Sequence, residues 1–164
     1  MEARSLQAAP AEHLEDLGHL IANLRADPRT ARLVPGVEAA RTTLEARSED
    51  WRHKYHLVHE MQSGLEHAEE DLHHLVRTCR DVILDDVRHS RRAHKFQIYF
   101  PRGMRAVIRA PYTDQLVSVR SIVPRCAQDP SPKVRERAGT LQAAADRMQV
   151  AFTRRAQAPQ AGKV

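Results

Sequence analysis

"VEAARTTLEARSEDWRHKYHLVHEMQSGLEHAEEDLHHLVRTCRDVI", residues 37–83, decides the fold. Every seventh residue from its start is apolar or small: Val37, Leu44, Trp51, Val58, Leu65, Leu72 and Cys79. The fourth position of the same heptads carries Ala40, Met61, Ala68, Leu75 and Val82, with Arg47 and Lys54 as the exceptions. Positions three and four apart share one face of an α-helix, so this is a helical seam sustained over several heptads. Tyr55, Val76 and Ile83 widen it toward a bundle-type face.

A single helix over 37–92 is on the order of 80 Å long at ~1.5 Å per residue. A compact chain of this size has a radius of gyration of about 15 Å. Either the molecule is elongated or the helix breaks. The place for a break is Ser63–Glu66, where Ser63 and Glu66 have capping-box spacing around Gly64. The heptad phase passes through Gly64 without a skip, which favours a continuous or slightly kinked helix.

Upstream, Leu14, Leu17, Ile21 and Leu24 form a helical stripe that Pro28 closes, and "LVPG" at 33–36 reads as a turn. Downstream, Thr113 or Asp114 offers an N-cap for a stripe of Leu116, Val119, Val123 and Cys126, with Pro124 as a kink or early stop. Ser131 caps a last helix with Pro132 at its first position. Val134, Ala138, Leu141, Ala145, Met148 and Phe152 line its buried face. These signals predict an all-α, elongated helical bundle of four principal helices, 10–27, 37–92, 113–127 and 131–156. A break near Gly64 would make five. Residues 96–112 are expected to be an irregular or partly helical connector. The chain of 164 residues reads as one helical domain with frayed ends at 1–9 and 157–164.

Arg outnumbers Lys 22 to 4, and the charge is divided along the chain. Residues 37–86 hold 12 acidic and 6 basic side chains, whereas 87–113 hold 7 basic and none acidic. That basic stretch, "VRHSRRAHKFQIYFPRGMRAVIRAPYT", admits three uses. Arg88, Arg91, Arg92 and Lys95 can occupy the last turns of the long helix, where cations complement the macrodipole. The basic C-terminal part of the chain, net +12 from Val87 onward, can pack antiparallel beside the acidic flanks of that helix, within the fold or across a dimer, as e and g charges do in coiled coils. Or Arg88, Arg91, Arg92, Lys95, Arg102, Arg105 and Arg109 can form an exposed patch that grips the phosphates of a nucleic acid or another polyanion. Phe96, Ile98, Tyr99 and Phe100 are expected to pack against the bundle, because an exposed "FQIYF" invites aggregation. "FPRG", 100–103, reads as a structured corner.

The candidate chemistry is sparse. Seven of the ten histidines lie between His53 and His89. His56 with Glu60, and His67 with Glu70 and His74, have helical ligand spacing, and Glu70 to His73 matches the Glu-x-x-His element of di-iron carboxylate bundles. The heptad register places His56, Glu60, His67, Glu70, His73 and His74 on outward positions, so they read as a solvated face rather than a metal site. The carboxylates of Glu66–Asp71 lie mostly on that face too, and paired carboxylates act as acid and base only when one is desolvated. Cys79 reads as a small core residue and Trp51 as a core or interface anchor. No phosphate-binding loop, dinucleotide fingerprint, nucleophile elbow or zincin motif occurs, so no catalytic residue, cofactor or metal is assigned and an enzyme is disfavoured.

The N-terminus lacks the apolar core of a signal peptide, and no uncharged run reaches the roughly 18 residues that span a bilayer. Two cysteines 47 residues apart imply reduced thiols and a cytoplasmic protein. A seam this long is hard for shorter helices to cover, which predicts a homo-oligomer, a dimer. The leading expectation is therefore a non-catalytic helical scaffold or protein-interaction protein. The alternatives are nucleic-acid or polyanion binding through 87–113, and a metal-binding bundle.

Overall fold

A computed structural model of the protein describes residues 2–158, with side chains from residue 12 onward. Met1 and 159–164, the outermost parts of the two termini expected to fray, lie outside the described residues. Helices are the only regular secondary structure among the described residues. They are α1 (Glu2–Ala26), a 3₁₀ turn (Ala31–Leu33), α2 (Val34–Asp86), α3 (His94–Tyr99), α4 (Met104–Ile108), α5 (Tyr112–Ala127) and α6 (Pro132–Ala156). The protein is all-α, as the heptad pattern requires.

The chain groups into two compact units, with the boundary inside α2 between Leu57 and Val58. In the first, Gly18 lies beside Arg41 and Arg25 pairs with Glu38, which sets α1 antiparallel to the opening turns of α2. Thr30 and Ala31 donate their backbone N–H groups to the Asp27 carbonyl, and the Thr30 hydroxyl donates to the Leu24 carbonyl at 3.1 Å. The turn thus lies at 27–30, earlier than "LVPG" suggests. Pro35 instead sits in the first turn of α2, where a missing N–H costs nothing. Trp51 is half-buried and stacks on Tyr55 at 5.2 Å.

α2 passes through Gly64 unbroken. It stops at Asp86, six residues short of the expected end, because Arg88 and His89 both adopt positive φ, 51° and 61°. That turn lets the His89 N–H reach back to the Leu84 carbonyl at 2.7 Å, a left-handed helix closure usually left to glycine.

In the second unit, the seam of α2 (Leu65, Leu72, Val76, Cys79, Ile83) packs with Leu116, Val119, Ile122 and Cys126 of α5. Val134, Leu141, Ala145 and Met148 of α6 complete the core. His73 meets Gln115 and Cys79 meets Cys126, so α5 runs parallel to α2. Arg155 reaches back to Gln62, and Arg120 lies opposite Asp146, so α6 runs antiparallel to both. Two parallel helices joined in sequence need a return segment, and 87–111 is that segment. It climbs from the end of α2 back to the level of Glu69, roughly 25 Å at 1.5 Å per residue.

α5 begins at Tyr112 behind Pro111, with Asp114 in its first turn, and continues through Pro124 to Ala127. α6 begins as read, with Ser131 before it and Pro132 at its start. Ile122 replaces the half-buried Val123 in the core.

Candidate functional site: the arginine-bearing return segment

A helix of six residues does not form alone. α3 is held in place by Phe96, Tyr99 and the following Phe100, all buried. At about 1.5–3 kcal/mol for each fully buried apolar side chain, these anchors outweigh any local propensity. Ile98, expected inside with them, is exposed. The corner after α3 is closed by the Gly103 N–H donating to the Phe100 carbonyl at 2.9 Å, with Pro101 and Arg102 between them and Gly103 at φ 77°. Only glycine adopts that backbone freely.

One polar cluster ties the segment down. The Asp129 carboxylate, 5% exposed, accepts from Lys95 Nζ at 2.7 Å, the Tyr99 hydroxyl at 2.6 Å and the Ser131 N–H at 2.8 Å. Lys95 also pairs with Asp86 at the end of α2. Burial works against the Asp129 carboxylate, yet hydrogen bonds from Lys95, Tyr99 and Ser131 hold it below the usual carboxylate range. Burial opposes the Lys95 ammonium in the same way, and its bonds to Asp129 and Asp86 prevail, raising its pKa. For Tyr99, burial and then the bond to Asp129 both push the phenol up.

A second polar cluster anchors the far end. Gln115, 2% exposed, donates through Nε2 to Glu69 Oε1 (2.8 Å) and to the carbonyls of Ala110 (2.9 Å) and Ile108 (3.2 Å). Its Oε1 lies 3.0 Å from His73 Nε2, so that nitrogen carries a proton. His73 is therefore half-buried and engaged, a correction to its outward assignment. The b position is shielded because the return segment and the start of α5 cover that side of α2. Burial, then the charges of Glu69 and Glu66, raise the Tyr112 phenol beside this cluster.

His56, Glu60, His67, Glu70 and His74 are exposed. Among the described residues no group of three or more His, Cys, Asp and Glu side chains converges to hold a metal ion.

The seven basic residues of the stretch separate into two roles. Lys95 is committed to Asp86 and Asp129. Arg88, Arg91, Arg92, Arg102, Arg105 and Arg109 are all exposed, and among the described residues none of them has an ion-pair or side-chain hydrogen-bond partner. Placement in the last turns of α2 does not occur, since that helix ends at Asp86 with no basic residue in its final turn. Pairing with the acidic flanks of α2 is confined to Lys95. Sequence reasoning could not single out Lys95, because its acidic partner Asp129 lies 34 residues away, beyond α5.

No family model matches the chain, and neither comparison with curated proteins nor comparison with solved structures finds a match. No helix among the described residues is long and apolar enough to cross a membrane.

Proposed function

We propose that this is a non-catalytic helical interaction protein that binds nucleic acid through the phosphate backbone, using Arg88, Arg91, Arg92, Arg102, Arg105 and Arg109. The observation that carries this reading is six exposed arginines without an acidic partner among the described residues, along a return segment of roughly 25 Å. Duplex DNA presents one phosphate charge per ~1.7 Å of axis, so a segment of that length meets many phosphates.

Two further features support it. Arg88 and His89 hold positive φ, where glycine is less strained, so the chain keeps a cation and an imidazole at a cost of roughly 1–2 kcal/mol each. And Phe96, Tyr99 and Phe100 are buried, leaving the segment no exposed phenyl, phenol or indole ring between Arg88 and Arg109 for a base to stack on, only the imidazoles of His89 and His94. Binding through charge alone carries no base readout. The expected behaviour is therefore tolerance of sequence, no marked preference for single strands, and steep loss of affinity with salt.

The test is titration of labelled duplex and single-stranded DNA at several salt concentrations. Engagement of all six arginines gives a log–log salt slope approaching about −5 on duplex. Arg91→Glu, Arg92→Glu and Arg105→Glu together should abolish binding while circular dichroism shows the same helix content. Lys95 must be left intact, since changing it breaks the Asp129 cluster. Absence of binding at low salt sinks the proposal.

A further inference from the structure

Cys79 and Cys126 are the only two cysteines of the chain. They sit on different helices, 47 residues apart, yet the fold brings their sulfurs to 3.7 Å. Both are free thiols, 1% and 0% exposed, and each is the other's hydrogen-bond partner. A cysteine that only fills space needs no second thiol against it. Nor is the surrounding charge neutral. Arg137 acts electrostatically on Cys79 and Lys95 on Cys126, both favouring the thiolate, with Asp129 opposing. The Arg137 Nε is itself buried without a hydrogen-bond acceptor.

We propose that Cys79 and Cys126 are a reversible dithiol–disulfide pair whose oxidation staples α2 to α5. A disulfide requires sulfurs ~2.05 Å apart, so about 1.7 Å of approach remains. The two sulfurs share one hydrogen bond in which either can be the donor. The thiolate is the nucleophile, so the sulfur that gives up its proton attacks first.

With hydrogen peroxide as the oxidant, that sulfur takes one peroxide oxygen and the O–O bond breaks. The departing hydroxide, with the proton the attacking thiol released, is the first water. The other thiol then attacks the sulfur of the sulfenic acid. The S–S bond forms, the S–O bond breaks, and hydroxide leaves with that thiol's proton as the second water. Two thiols lose two electrons, peroxide gains two, and a small dithiol such as dithiothreitol reverses the change. The closed loop contains the whole return segment, but the proposal stands without the nucleic-acid reading.

The experiment treats the folded full-length protein with hydrogen peroxide, alkylates it in guanidinium and maps peptides by mass spectrometry. The expected product is a monomer about 2 Da lighter, with Cys79 and Cys126 peptides linked, that melts at a higher temperature and returns to two thiols with dithiothreitol. Cys79→Ser should stop at a Cys126 sulfenic acid, and Cys126→Ser at a Cys79 sulfenic acid, that dimedone traps. If either variant misfolds, the wild-type mapping decides alone. The proposal is overturned if the folded protein still alkylates at both thiols after a peroxide dose that bridges the unfolded chain.

Discussion

Replacing Asp129 by Asn keeps the shape of the side chain and removes its charge. Three donors converge on the carboxylate, namely Lys95 Nζ, the Tyr99 hydroxyl and the Ser131 N–H. The amide nitrogen of Asn replaces the oxygen that Tyr99 meets; the Tyr99 hydroxyl can donate to the Arg125 carbonyl and accept from that amide, so the loss falls on the charge facing Lys95. Removing one partner of a buried pair costs about 3–5 kcal/mol. Lys95 retains Asp86 and its side chain is 26% exposed, which argues for the lower end, about 3 kcal/mol. At roughly 4–8 °C per kcal/mol for a unit near 100 residues, the main thermal transition should fall by about 12–24 °C.

The pH profile adds a sign. Asp129 titrates lower in the folded state than in the unfolded chain. Its contribution is present above the unfolded value near ~3.9 and disappears as pH falls through the folded one. Lys95 and Tyr99 titrate higher when folded, so their contribution is present below about pH 10 and is lost as pH rises through their folded values. Melts followed by circular dichroism from pH 2 to 11 should show both arms in the wild type. In Asp129→Asn the acid arm should lose this component and the alkaline arm should shrink. A variant melting within about 3 °C of wild type at pH 7, with an unchanged acid arm, refutes the reasoning.

Gln115→Ala strips hydrogen bonds from the Ile108 and Ala110 carbonyls and from His73. Urea unfolding should show a loss of about 2–3 kcal/mol. Gly64→Ala adds a methyl where nothing lies within 4 Å and the helix is regular, so it should stabilise by up to about 1 kcal/mol. A destabilised Gly64→Ala would contradict a continuous α2. Arg88→Gly relieves left-handed strain but adds glycine's entropy, for a net gain near ~0.5–1 kcal/mol. The same change should reduce the salt slope of DNA binding by about 0.9. A chain made more stable yet weaker in binding would separate the two demands on that position.

The fold class was legible because a helix declares itself through period: from Leu65 to Ile83 the seam residues Leu65, Leu72, Val76, Cys79 and Ile83 are buried, and Ala68, Leu75 and Val82 partly so. Helix ends were less so. A left-handed turn at Arg88 and His89 leaves no composition signal when neither residue is glycine, and the expected end ran on to 92. The polar clusters were invisible for a different reason. Asp129 meets Lys95 and Gln115 meets His73 only because α5 runs parallel to α2, and that topology depends on how the connector folds back. The buried aromatics of the connector were readable, since "FQIYF" leaves few stable alternatives to the core. The meeting of Cys79 with Cys126 followed from the same parallel pairing, and no spacing rule announces it.

The five-residue α4 has a carbonyl near its end met by a glutamine that belongs to α5. Such a helix cannot open on its own. Its amides should exchange with deuterium at the rate of α5, and a chain truncated before Tyr112 should lose the helix altogether. Arg105 and Arg109 are thus displayed on borrowed rigidity, and a partner that pulls on them pulls on the second unit as a whole.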